Sequence, residues 1–416
     1  MLMSDTLLSS AAGLRAGYSL PRQFYTSEAI FADDMREIIT RKWILAGHVS
    51  QIPNAGDYVL FKVGQEQIIL IRDTKNAVNA FFNVCRHRGS TLCSAEQGNA
   101  RRLVCPYHAW TFGLDGALIS ARLMADDFDK ADNGLFAAHV RVFHGLIFVN
   151  LSEDAPDDFD ATFGEFDAIL DYHGFADAKV AHIGRYPTAA NWKLVVENFL
   201  ECYHCQPAHP EFCSMHPADA LLAVGAGPSS GPNEAMESYG PVLAAWEEKA
   251  AAMGRPLGNV DDGPESSHLR LLMQRTMREG YISETADGLP ASSLMGKRKD
   301  WDFGRMHLAF SPMSHIVADN DFAMLFRFTP RTAMTTDVDI LWLVDGKAEG
   351  YDVDKMIWGW DRTTLQDKTI TEDNQTGILS HRYTPGRYST QERGLETFQK
   401  WYLRHHGLTH QDAPAA

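Results

Sequence analysis

Cys85-Arg-His87 is followed, after 17 residues, by Cys105-Pro-Tyr-His108. Each of these short stretches offers one thiolate and one imidazole. Four such ligands can hold structural zinc, but zinc fingers usually pair Cys with Cys and His with His along the chain. The alternating order is what a Rieske [2Fe-2S] centre needs, with two thiolates on one iron and two imidazoles on the other. The surrounding chain reads as strands. Tyr58–Val63, Gln67–Arg72 and Ala77–Phe82 are β-rich runs separated by Gly64 and Asp73–Asn76, and the last of them leads into Cys85. Val140–Asn150 reads as a closing strand pair. Residues 46–155 are therefore expected to form a small all-β domain around the cluster, with His108 near its exposed tip. Tyr107, Trp110 and Phe112 are read as packing around the cluster.

A second group of metal-type ligands lies in Glu197-Asn-Phe-Leu-Glu-Cys-Tyr-His-Cys-Gln-Pro-Ala-His209. The chain from Asn191 has helical periodicity. Trp192, Val195, Phe199 and Leu200 mark a buried side, and Glu197, Glu201 and His204 at i, i+4 and i+7 share a second face. Pro207 limits the helix, and His209 follows on the turn. Two neutral imidazoles and a carboxylate describe the facial triad of non-haem Fe(II) sites. His-x4-His alone says little in a chain with 17 His. Cys202 and Cys205 form Cys-x-x-Cys, elsewhere a sign of redox activity or zinc. Three residues apart on a helix, they are read as small buried side chains beside the ligands, not as ligands.

Taken together, Cys85-Arg-His-Arg-Gly, Cys105-Pro-Tyr-His-Ala-Trp-Thr-Phe-Gly and the carboxylate-x2-His-x4-His of Glu201, His204 and His209 resemble the terminal oxygenase (alpha) subunit of Rieske non-haem iron oxygenases. The similarity covers most of the chain. In that family the second motif lies roughly a hundred residues after the second cluster loop, as it does here. The resemblance implies an α+β fold, a small all-β Rieske domain joined to a helix-grip catalytic domain with an antiparallel sheet. It also implies a Rieske [2Fe-2S] cluster on Cys85, His87, Cys105 and His108, and a mononuclear Fe(II) on His204, His209 and a late carboxylate. Asp373, in Glu372-Asp373-Asn374, best matches the family's late segment, with Glu372 and Asp367 as fallbacks. The family passes electrons from the cluster of one subunit to the iron of the next. By resemblance, Glu201 would bridge His108 of a neighbour and its own His204, in a cyclic homotrimer.

One departure narrows the substrate. The carboxylate before the first His is usually Asp, whereas Glu201 resembles the branch that acts on quaternary ammonium compounds such as carnitine, glycine betaine and proline betaine. The expected reaction hydroxylates an N-methyl group, giving formaldehyde and a demethylated amine. A cationic substrate would want an aromatic cage, to which Tyr203 and late Trp and Phe residues could contribute. The alternatives are hydroxylation of an aromatic ring or aryl carboxylate, and a Rieske electron carrier without catalysis. Neither a Gly-rich dinucleotide fingerprint nor a flavin motif is present, so NAD(P)H would act through a separate flavin/iron-sulfur reductase.

The rest of the chain gives the domain plan. Residues 1–45 are expected to hold a helix, opened at Ser27 or Asp33 and carrying Met35, Ile38, Ile39 and Trp43 on one side. It would pack on a catalytic domain spanning 156–416. Phe163–Tyr172 suggests a short helix and Val180–Tyr186 a strand. Within 213–300, Val242–Met253 and Ser267–Glu279 have helical patterns, and Ala223–Pro232 is rich in Gly, Ser and Pro. Met306–Phe310, Ser314–Asp319, Phe322–Thr329 and Thr336–Val344 read as an antiparallel meander. Phe310, His315 and Trp342 are pocket candidates on it, with plain core positions as the favoured reading. Residues 351–375 look helical, and Ser389-Thr-Gln-Glu392 is a capping box for a last helix with Leu395, Phe398 and Trp401 inward.

Composition excludes several other classes. The 416 residues suffice for two domains, and no apolar run approaches the length of a membrane span. The start, Met-Leu-Met-Ser-Asp-Thr-Leu-Leu-Ser-Ser, has no basic lead or long apolar core, and six Cys do not make a disulfide framework. A cytoplasmic location is expected. A formal net charge of −16 argues against nucleic acid or anionic membrane as a partner.

Overall fold

The chain of the computed structural model, which describes residues 5–217, 220–221 and 234–410, divides into two compact units. Thr40–Thr162 form one, and the flanking segments up to Ile39 and from Phe163 onward form the other.

The first unit contains ten short strands: β1 (Ile44–His48), β2 (Asp57–Val63), β3 (Glu66–Arg72), β4 (Val78–Phe82), β5 (Gln97–Asn99), β6 (Leu103–Val104), β7 (Thr111–Phe112), β8 (Leu118–Ser120), β9 (His139–Phe143) and β10 (Leu146–Asn150). They form three antiparallel sheets, ordered β1-β10-β9, β4-β3-β2-β5 and β6-β7-β8. Alternation along β3 and β4 sends Ile69, Ile71 and Phe81 into a core shared with Cys85, Cys105, Trp110 and Phe112. That core leaves no room at Gly116. Its φ is +81°, and a Cβ there would come within 2.4 Å of the Phe81 ring.

The second unit is built on one seven-stranded antiparallel sheet. Its strands are β11 (Ala178–Thr188), β12 (Val260–Asp261), β13 (Leu271–Thr276), β14 (Gly304–Ser311), β15 (Ser314–Ala318), β16 (Phe322–Thr332) and β17 (Thr335–Asp345), in the order β11-β17-β16-β15-β14-β13-β12. Helix α1 (Glu28–Glu37) begins where Ser27 Oγ accepts from the Ile30 amide at 3.4 Å. It ends before Trp43, which lies in the other unit, so the apolar side expected for this helix is shorter than its sequence pattern suggested. Helix α2 (Trp192–Phe199) is followed by two short ones, α3 (Cys205–Ala208) and α4 (Pro210–Met215), then by α5 (Glu234–Ala252), which takes in Val242–Met253. Helix α6 (Val353–Ile378) packs against β11, α2 and α4, and α7 (Arg393–His405) closes the unit. A long helix against an antiparallel sheet is the helix-grip arrangement expected.

One sequence reading needs correction here. Ser267–Glu279 is not helical. Leu271–Thr276 pairs along β14, and the short apolar run Leu271-Leu272-Met273 carries too little periodicity to separate strand from helix. The segment Ala223–Pro232 lies outside the described residues.

Buried polar groups tie the helices together. Lys193, on α2, donates to Asp34 of α1, and the same carboxylate accepts from Trp192 Nε1 at 2.9 Å, Tyr402 OH at 2.7 Å and His406 Nε2 at 3.0 Å. A fully buried anion is tolerable only with this degree of pairing. Its partners fix α2, and hence the start of the ligand-bearing turn.

Candidate metal centres and substrate cavity

The two cluster loops repeat one backbone design. The Cys85 amide donates to the Ser90 carbonyl and its own carbonyl accepts from Gly89 at 3.0 Å. Likewise the Cys105 amide donates to Trp110 and its carbonyl accepts from Ala109 at 3.0 Å. The fourth residue after each Cys is left-handed, Gly89 at φ +78° and Ala109 at φ +56°. Glycine takes that conformation freely, while Ala109 must be held there by its loop. Both thiols are buried and within hydrogen-bonding reach of each other. The two imidazoles meet through their Nδ1 atoms at 3.1 Å, with His87 stacked on Trp110 and His108 on Tyr107. His108 and Tyr107 are exposed, whereas Trp110 and Phe112 are core. Two thiolates on one side and two imidazoles on the other is the donor set of a Rieske cluster.

The second centre is assembled from α3, its flanks and α6. His204 Nε2, His209 Nε2 and the Asp367 carboxylate converge, with ligand atoms within 4.8 Å of one another. Each imidazole is oriented from behind. His204 Nδ1 is hydrogen-bonded to Glu201, and His209 Nδ1 donates to Gln366 Oε1 at 2.9 Å. Both Nε2 atoms are thereby turned toward Asp367, the arrangement that outer hydrogen bonds impose on metal-binding histidines. Burial disfavours a charged His204, yet Asp367 and Glu201 lift its pKa to about 9. The site draws in positive charge, and a divalent cation would supply it. Two imidazoles and one carboxylate, leaving positions open, fit Fe(II).

A cavity of about 470 Å³ opens onto this triad. Strand pleat explains its wall. Leu271 and Met273 on β13, His307 and Ala309 on β14, and His315 and Val317 on β15 are cross-strand neighbours on one face, and all of them line it. Phe199, Phe212 and Trp360 supply aromatic surface. Phe212 and Trp360 meet edge to face at 5.2 Å between ring centroids, and Trp360 Nε1 donates to the buried Glu284 at 2.7 Å. Burial holds His307 well below the ordinary imidazole range and His315 down to about 4, so both are neutral at pH 7.

Residues 42–137 match the Rieske [2Fe-2S] domain, and residues 175–407 match the catalytic domain of the ring hydroxylating alpha subunit. The chain belongs to the Rieske oxygenase alpha subunits. The glycine betaine monooxygenase oxygenase subunit of Pseudomonas aeruginosa is 37% identical to it, over 92% of this chain and 88% of that one. The carnitine monooxygenase oxygenase subunit of Acinetobacter baumannii is 39% identical, over 47% of this chain and 53% of its own. A crystal structure of the quaternary ammonium Rieske monooxygenase CntA, in complex with an inhibitor, superposes with a TM-score of 0.70 at 25% identity, over 96% of this chain and 98% of that one. As a Rieske oxygenase the protein is an oxidoreductase with a [2Fe-2S] cluster and a mononuclear iron. A carrier without catalysis would not need the matched catalytic domain. Among the described residues, no helix is long and apolar enough to cross a membrane.

Several expected site residues fall elsewhere in this Rieske oxygenase. Asp373, expected as the third iron ligand, is exposed. It follows Asp367 by six residues on α6, which turns it far around the helix, and Asp367 occupies the position beside the histidines. Glu372 instead accepts from the Ala189 amide at 2.8 Å. Tyr203 is 58% exposed and lines no part of the cavity. Phe310 points to the opposite face of β14, against Phe163 and Phe166, and Trp342 is buried beside His182. Of those three pocket candidates only His315 lines the cavity. The helix also stops earlier than its periodicity suggested. Glu201 accepts from the Tyr203 amide, and this local bond competes with helix continuation. Glu201 and His204 therefore sit in a turn rather than on a helical face. Cys202 and Cys205, expected as separate packed thiols, are joined in a disulfide across that turn.

Sequence reasoning missed His307, Phe212, Gln366 and Glu284. One signal was available: Trp360, Thr363 and Asp367 lie at i, i+3 and i+7, a single helical face, and all three line the cavity.

Proposed function

We propose that this Rieske oxygenase hydroxylates an N-methyl group of a quaternary ammonium substrate, and that the product collapses to formaldehyde and a demethylated amine. One oxygen atom of O2 enters the C–H bond, and the other leaves as water with two electrons and two protons. The electrons come from a separate reductase that uses NAD(P)H, in the cytoplasm. The observation that carries this reading is the cavity itself, in which the His204, His209 and Asp367 ligand set faces Phe199, Phe212 and Trp360. Aromatic faces attract a methylated ammonium without competing for hydrogen bonds. Neutral His307 and His315 add polarity without repelling a cation. The names of the betaine and carnitine relatives support the same substrate class.

In this reading Cys85, His87, Cys105 and His108 hold the cluster, and His204, His209 and Asp367 hold the iron. The bound iron supplies the O2 chemistry, while the chain positions substrate, admits electrons and excludes water. Glu201 bridges its own His204 to His108 of a neighbouring subunit in a homotrimer. The test is a single turnover. Protein reduced under anaerobic conditions is mixed with O2 and glycine betaine, proline betaine, carnitine or benzoate in turn. Formaldehyde from one of the three ammonium compounds, and none with benzoate, is the expected result. A hydroxylated ring product would replace this reading with aromatic oxidation.

A further inference from the structure

Asn198, Glu201 and His204 also stand in the wall of a second cavity, of about 520 Å³. Its other walls carry groups that do not touch the first: Tyr25, Glu197, Tyr383, Tyr388 and Glu392. Glu197 lies on α2, one turn before Glu201, and is buried. Both of its carboxyl oxygens are within reach of a single hydroxyl, Tyr25 OH, at 3.1 and 3.0 Å. The cation that could neutralise it, Lys193 on the same helix, is committed to Asp34. From the segment before α7, Glu392 adds negative charge, and Tyr383, Tyr388 and Arg387 complete the ionisable surroundings. Burial therefore raises the Glu197 pKa to about 8, with Tyr25 and Lys193 opposing and Glu392 assisting. At neutral pH this residue is mostly a carboxylic acid.

The proposed reaction consumes two protons for each O2. We propose that Glu197 delivers a proton to the mononuclear site through the second cavity, past Glu201, with Tyr25 holding its carboxyl group in place. In the step, the O–H bond of Glu197 breaks, and its proton goes to the oxygen atom that leaves as water. The electrons are those of the reductase, and the second proton comes from solvent through the same residue once it has been reprotonated. Solvent returns the proton by way of Glu392, which is partly exposed and senses Glu197, Glu201 and His204 alike.

This inference rests on the monooxygenase reading, and its test separates the two. Infrared difference titration of the purified protein should show a carboxylic-acid band that disappears with a midpoint near pH 8 and is missing in Glu197→Gln. The variant keeps an acceptor for Tyr25, so its fold and its cluster reduction should be unchanged. Its kcat should fall about tenfold or more, as for loss of a general acid, with KM unaltered. The alkaline limb of the pH profile should vanish and the solvent isotope effect should rise, while Glu197→Asp restores part of the rate. A band that does not titrate, or a Glu197→Gln kcat within twofold of wild type, overturns the proposal. Absence of product with every ammonium substrate would instead defeat the substrate reading and leave the infrared result to decide this one.

Discussion

Oδ1 of Asp367 lies 2.8 Å from Nε2 of His209, and the same oxygen is 3.3 Å from Nε2 of His204. On this relationship we propose Asp367, rather than Asp373, as the third ligand of the mononuclear site. Asp367→Ala should reduce the iron content from three to two per chain and leave the cluster's electron paramagnetic resonance signal intact. Asp373→Ala, at an exposed position of the same helix, should keep all three irons. Metal analysis of the two variants decides the assignment, and the reverse pattern would restore Asp373.

The candidate cluster residues were legible because their spacing is local. Cys85, His87, Cys105 and His108 each lie in a loop a few residues long, where sequence distance and spatial distance agree. His204 and His209 were legible for the same reason. The carboxylate that faces them, Asp367, stood only as a fallback, because it comes from the distant α6. There the choice among Asp367, Glu372 and Asp373 depends on how the helix is rotated, which packing against β11 and α2 settles. The sheet was readable from its alternation, but which face of β14 meets the cavity was not. Phe310 and His307 are equally good pocket candidates until the register with β15 is known. Glu284 holds Trp360 from a stretch with no motif at all, so only the fold could reveal it.

Glu201 contacts both His204 Nδ1 and the Tyr203 amide. Glu201→Ala should remove the orientation of His204 and break the proposed bridge, lowering turnover about 10–100-fold. Cluster reduction by dithionite should remain normal. Stopped-flow reoxidation by O2 in the presence of substrate should be slow, and reoxidation at the wild-type rate would deny Glu201 the role.

Trp360 offers the largest aromatic face in the cavity, and its indole is fixed by Glu284. Trp360→Leu keeps the wall apolar but removes the ring that attracts a cation. The Km for a betaine substrate should rise about 3–30-fold, the range expected for losing one desolvated cation–π contact. Binding of an uncharged tert-butyl analogue, followed by calorimetry, should change much less. Equal losses for both ligands would mean that Trp360 contributes shape alone.

Asp34 and Lys193 are buried together, and removing one partner strands the other. Asp34→Ala should cost about 3–5 kcal/mol in denaturant melts, the usual penalty for an orphaned buried charge. The pair also sets an acid limit. Burial pushes the Asp34 carboxyl up, but Lys193 and His406 outweigh it and hold its pKa below the ordinary value. The folded state therefore binds this proton less readily than the unfolded chain. The stabilisation is fully present above the unfolded pKa of about 3.9 and is lost as pH falls through the lower folded value. Urea midpoints measured from neutral pH down to about pH 3 should accordingly fall more steeply for the wild type than for Asp34→Asn, which has no proton to gain there. Parallel curves would show that other carboxylates govern the acid transition.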